Sequence, residues 1–80
     1  MITKVSLGYS AHTILLNKKA DVNRLGVALG RTAIKKGVSV VDISQYLGVS
    51  RQTVYNWFVG AYDPKADQAK NIAKLLARLK

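Results

Sequence analysis

Six side chains between residues 50 and 56, namely Ser50, Arg51, Gln52, Thr53, Tyr55 and Asn56, carry polar groups suited to recognition chemistry. A carboxamide offers a donor and an acceptor in one plane, which matches N6 and N7 of adenine, so Gln52 and Asn56 are able to pair with that base. The Arg51 guanidinium offers parallel donors that match O6 and N7 of guanine. Each good bidentate contact of this kind is worth about 1 to 3 kcal/mol against the wrong base. The Ser50 and Thr53 hydroxyls suit phosphate oxygens, and Tyr55 suits either a phosphate or a thymine methyl group. All six are also ordinary surface residues, so the chemistry requires an element that holds them on one face.

Such an element is legible from Val40 to Val59, VVDISQYLGVSRQTVYNWFV. A short helix, a tight turn and a second helix crossing at about 90 to 120° need apolar residues at fixed offsets and a small residue at the crossing. Ile43, Leu47, Val49, Val54 and Trp57 supply the buried positions, Ser44 is the small residue, and Gly48 accepts a left-handed turn without a Cβ clash. With Val54 and Trp57 turned inward, the six polar side chains face solvent. Both helices also carry start signals. Ser50 caps the second, with Val49 and Val54 as a hydrophobic staple; Ser39 caps the first, with Asp42 as capping-box partner and Val38 stapled to Ile43.

This stretch resembles the Cro and repressor type of helix-turn-helix found in phages, and the resemblance runs from Asp21 to the loop after Trp57. It implies a mainly α fold, a small four- to five-helix domain with a central helix-turn-helix and an N-terminal extended arm. It places base reading on Arg51, Gln52, Tyr55 and Asn56, and phosphate binding on Ser50 and Thr53. It also implies a homodimer on a pseudo-palindromic double-stranded DNA operator, with the two reading helices about 34 Å apart. The corresponding function is a sequence-specific regulator, a small phage or plasmid repressor acting by operator occupancy.

The flanking sequence supplies the remaining elements. Residues 1–20 read as an arm that pairs two copies, through Ile2, Val5, Leu7 and Tyr9 with Ile14 to Leu16, although Ala11 to Lys19 are equally able to form a helical turn or two. Residues 21–80 read as the DNA-binding domain. Asp21 is expected to cap a helix from Val22 to about Lys36, with Leu25, Leu29 and Ala33 on its inner face and Gly37 past its end. Gly26 and Gly30 inside that helix each cost up to about 1 kcal/mol relative to Ala, which close approach of another backbone would offset. Asp63 and Pro64 read as the start of a last helix running to about Leu79. Its apolar positions Ala69, Ile72, Ala73, Leu76 and Leu79 read as core or as an alternative dimer seam, with Lys70, Lys74 and Arg78 on another stripe.

The chain of 80 residues holds 13 Lys plus Arg against 4 acids, a formal charge of +9. That balance suits a polyanion such as nucleic acid. The motif itself is nearly neutral, so phosphate charge must come from its flanks: Lys35, Lys36 and Lys65 are the principal candidates, with Lys18, Lys19, Arg31 and Lys70 beside them. The free amides at the start of the first motif helix are a further phosphate site. Neutralising about six phosphates would give a log–log salt slope of about −0.9 per contact.

Several function classes fit poorly. The absence of cysteine excludes disulfides, thiol nucleophiles and thiolate zinc sites. His12 is the one histidine and has no nearby acid, so neither a metal site nor a catalytic triad is expected. Asp21, Asp42, Asp63 and Asp67 all fall at helix starts, which leaves no free acid for catalysis; an enzyme is not expected, nor any cofactor. The N-terminal apolar residues are broken up by Lys4, Gly8, Ser10 and His12, unlike a signal peptide. Apolar runs fall far short of the roughly 20 residues that cross a bilayer, so a cytoplasmic location is expected. Three alternatives stay open: an antirepressor or polymerase-binding protein using the helix pair, the DNA-binding module of a recombination or replication system, and RNA binding. Against the last, the chain lacks a paired aromatic platform and a GXXG loop.

Overall fold

A computed structural model describes residues 9–80, and over them the chain forms five α-helices and no strand. They are α1 (Ala11–Lys19), α2 (Leu25–Lys36), α3 (Val40–Leu47), α4 (Arg51–Phe58) and α5 (Ala66–Leu79). Helix α2 packs against α1, α4 and α5, and α3 packs against α4 and α5, so the core gathers around α2.

Helix α1 answers the question the sequence left open. Residues 11–19 coil, capped by Ser10, whose side chain accepts from the Thr13 amide. They do not continue an extended arm. Ile2, Val5 and Leu7 lie outside the described residues. Tyr9 is spent on the core of its own chain: it is buried, its hydroxyl donates to the Val38 carbonyl at 2.7 Å, and its ring lies 6.0 Å from that of Phe58.

Two helix starts fall later than the sequence suggested, for local reasons. Asp21 does not cap α2: its Oδ1 accepts from the Asn23 amide, closing an Asx turn, and the Arg24 amide bonds back to the Asp21 carbonyl. Helical geometry begins only at Leu25. Asp63 does not cap α5 either, because its carboxylate pairs with Arg24 Nε at 2.8 Å; α5 begins at Ala66, after Lys65 in extended conformation. The inner stripe of α5 is also rotated. Ile72, Leu75 and Leu76 are buried and Leu79 packs beside them, while Ala73 is exposed. The core-facing stripe therefore uses Leu75, which the sequence reading passed over, and this face is core.

The helix-turn-helix turn is set by two end motifs sharing one residue. Gly48 takes φ 71°, and the Val49 amide bonds back to the Ser44 carbonyl at 3.0 Å, closing α3 with a Schellman-type turn. Val49 then precedes the Ser50 cap of α4 and packs partly buried against the core that holds Val54. One valine thereby seals the end of one helix and staples the start of the next. Ser44 is buried at the crossing, its hydroxyl returned to the Val41 carbonyl at 2.8 Å. Gly37 ends α2 in the same left-handed way, at φ 75°.

Candidate nucleic-acid interface

Helix α4 has eight residues, too few for a stable isolated helix, so its direction depends on its ends and its buried face. At the start, Ser50 Oγ accepts from the Thr53 amide at 3.1 Å and meets the Thr53 hydroxyl at 2.9 Å. The inner face is Val54, Trp57 and Phe58, all buried. Phe58, with no exposed surface, is a core residue that the sequence reading missed beside the more conspicuous Trp57.

The outer face carries the six expected side chains at graded exposure. Ser50, Arg51 and Gln52 are exposed; Thr53, Tyr55 and Asn56 are half-buried. Gln52 Nε2 donates to Asn56 Oδ1 at 3.1 Å, so the two carboxamides brace one another across one turn. The brace uses one of the two Gln52 donor hydrogens and leaves the other, with Oε1, for an adenine edge; Asn56 keeps its amide donors. Tyr55 leans on the core and stands near Tyr9. Burial drives the Tyr9 phenol well above its ordinary range, and the nearby Tyr55 phenol pushes in the same direction.

The expected phosphate ligands divide. Lys65 lines a notch of about 280 Å³ together with Thr53, Asn56, Trp57, Tyr62, Gln68 and the acid Asp63, whose carboxylate is paired with Arg24, so three expected DNA contacts share one concavity between α4 and α5. Lys35 and Lys36 are exposed in the last turn of α2, just before the turn that leads into α3. Lys18, Lys19 and Lys70 are exposed elsewhere. Arg31 is engaged inside the protein: its Nε donates to Asn17 Oδ1 at 3.1 Å, and its Nη2 to the carbonyls of Asn17 and Lys18. Arg24, not singled out in the sequence, is engaged likewise, with Nη1 on the Gly60 carbonyl at 2.7 Å.

A helix pair joined by a left-handed glycine turn, with the second helix capped, polar outside and anchored by a tryptophan inside, is the geometry of a helix-turn-helix. Residues 30–78 match the family model described as helix-turn-helix, which is well over half the chain. The chain belongs to the helix-turn-helix family. It is accordingly a DNA-binding protein of the transcription-regulator type. Neither the curated proteins nor the solved structures contain a match to it. In this helix-turn-helix, α3 and α4 are the motif pair, and α1 lies outside the matched residues. Among the described residues there is no group of three or more His, Cys, Asp or Glu able to hold a metal ion, and no helix long and apolar enough to cross a membrane.

Proposed function

We propose that this chain is a sequence-specific double-stranded DNA-binding regulator, a small Cro-like repressor of phage or plasmid type that acts by occupying its operator. The observation that carries the reading is the braced pair Gln52–Asn56 beside exposed Arg51 on a helix capped at its start. Side chains held this way lose less freedom on meeting a base edge, and discrimination between bases depends on such fixed geometry.

In this reading Arg51, Gln52 and Asn56 contact base edges in the major groove, with Tyr55 at the margin of the same surface. Thr53 and Lys65 hold one strand's phosphates at the α4–α5 notch, Ser50 holds a phosphate at the start of α4, and Lys35 and Lys36 hold phosphates on the flank of α3. The net charge of +9 supplies the non-specific attraction. The protein works in the cytoplasm of its host, as a homodimer on a pseudo-palindromic site. Helix α5 has given its apolar stripe to the core, which favours a seam at the N-terminal side, where Leu15 and Leu16 are exposed.

Selection of bound duplexes from a random pool tests the proposal. The wild-type protein should enrich one motif, with an adenine at a position that Gln52→Ala makes indifferent. Enrichment of no motif, or the same motif for both proteins, contradicts it.

A further inference from the structure

Among the described residues Asn17 is the most deeply buried polar side chain, 1% exposed. A buried carboxamide without partners is costly, so its hydrogen bonds say what it is for. Its Nδ2 donates to the Phe58 carbonyl at 2.7 Å and to the Val27 carbonyl at 3.2 Å. Its Oδ1 accepts from Arg31 Nε at 3.1 Å, which fixes which way the amide points.

The Phe58 carbonyl belongs to the last residue of the reading helix. The last four carbonyls of any α-helix lack partners within it. In α4 those of Tyr55, Asn56 and Trp57 are met by the amides of Val59, Ala61 and Gly60 from the following turn. That of Phe58 is met by Asn17, from α1, forty-one residues away in sequence. Gly30 makes the reach possible: a Cβ there would stand 2.8 Å from Asn17 Nδ2 and 2.7 Å from the Phe58 ring. Arg31 completes the arrangement by binding the carbonyls of Asn17 and Lys18 at the end of α1. A helix outside the family-matched residues therefore holds the far end of the helix that reads DNA.

We propose that Asn17 is a positioning residue for sequence reading, setting the angle of α4 from behind while touching no nucleic acid. This rests on the DNA-reading role of α4 given above. Ser50 fixes the start of α4 and Asn17 its end, so releasing Asn17 lets Arg51 and Gln52 swing out of register with the base edges. Phosphate contacts through flexible lysines tolerate that movement; bidentate base contacts do not. The signature is a loss of discrimination with little loss of general affinity.

The test uses the full chain with Asn17→Ser and, as a milder release, Arg31→Ala, which removes the partner that orients the amide. Each is taken forward if its Trp57 fluorescence and cooperative thermal unfolding show it folded. Affinity is measured at one salt concentration for the duplex selected by the wild type and for random duplex. The expected result is a loss of about tenfold or more on the selected duplex, with less than about twofold change on random duplex. Independently of DNA, backbone amides of α4 should exchange with solvent about tenfold faster in the folded variants, while those of α5 keep their rates. Unchanged α4 exchange, or an equal fall in affinity for both duplexes, overturns the positioning role. A wild-type protein that prefers no duplex overturns the DNA-reading role instead, and the exchange rates then decide the positioning of α4 alone.

Discussion

Trp57 stands so close to Gly26 that a Cβ on the glycine would lie 2.7 Å from the tryptophan Cβ and 3.0 Å from its carbonyl oxygen. Helix α4 is seated directly on the backbone of α2, and the atoms in the way belong to Trp57 backbone and Cβ, not to a flexible side-chain end. Gly26→Ala would gain up to about 1 kcal/mol of helix propensity. It must also push α4 outward, and overpacking of this kind costs about 1 to 3 kcal/mol. The net expectation is a lower urea midpoint with the slope unchanged. A more stable Gly26→Ala variant would mean that α4 is not packed this tightly.

Ser39 caps α3 by accepting from the Asp42 amide at 3.1 Å. Ser39→Ala should cost about 1 kcal/mol of unfolding free energy, the usual loss for an N-cap. Equilibrium denaturation of the two proteins side by side checks this, and no change would show that the α3 start is held by other contacts.

Tyr9 gives the protein a pH dependence in alkali. Its phenol is raised above the ordinary value of 10.0 by burial, with Tyr55 adding to the effect, so the folded state holds this proton more tightly than the unfolded chain. The Tyr9 contribution to stability is therefore fully present below that ordinary value and is lost as pH rises through it toward the folded value. Tyr9→Phe should lower stability at neutral pH by about 1 kcal/mol, from the lost bond to Val38. It should also flatten the decline seen above about pH 10. Denaturation of both proteins across that range compares the slopes; parallel curves would contradict the burial of Tyr9.

Base and phosphate contacts should separate by their salt dependence. Gln52→Ala and Arg51→Ala should each cost about 1 to 3 kcal/mol on the selected duplex and relax one position of its sequence. Lys65→Ala should weaken all duplexes alike and reduce the salt slope by about 0.9. Titrations at several salt concentrations distinguish the two patterns.

The helix-turn-helix was legible because its signals are local: Ser39, Gly48 and Ser50 each act on amides or carbonyls within a few residues, and each takes the expected role. Gly26 was legible as a place where another backbone comes close, here that of Trp57, whereas at Gly30 the close atoms are the side chains of Phe58 and Asn17. What the sequence hid is long-range. Asp21 and Asp63 look alike as helix starts, yet one closes its own turn and the other is claimed by Arg24, thirty-nine residues before it. Asn17 sits in a helix whose apolar residues show no single face, and its value lies in carbonyls on α2 and α4 that no local pattern announces. Arg31 looked like a phosphate ligand because charge alone does not tell a free guanidinium from one spent on the end of α1.

A sequence-specific regulator of this kind requires that α4 read sequence. Fluorescence anisotropy with the selected duplex and with random duplex, from low to physiological salt, measures that directly. Binding to the selected duplex at least about a thousandfold tighter than to random duplex, and persisting at physiological salt, is the predicted result. Equal, weak binding to both that vanishes as salt rises would contradict it, leaving the charge of +9 to act alone.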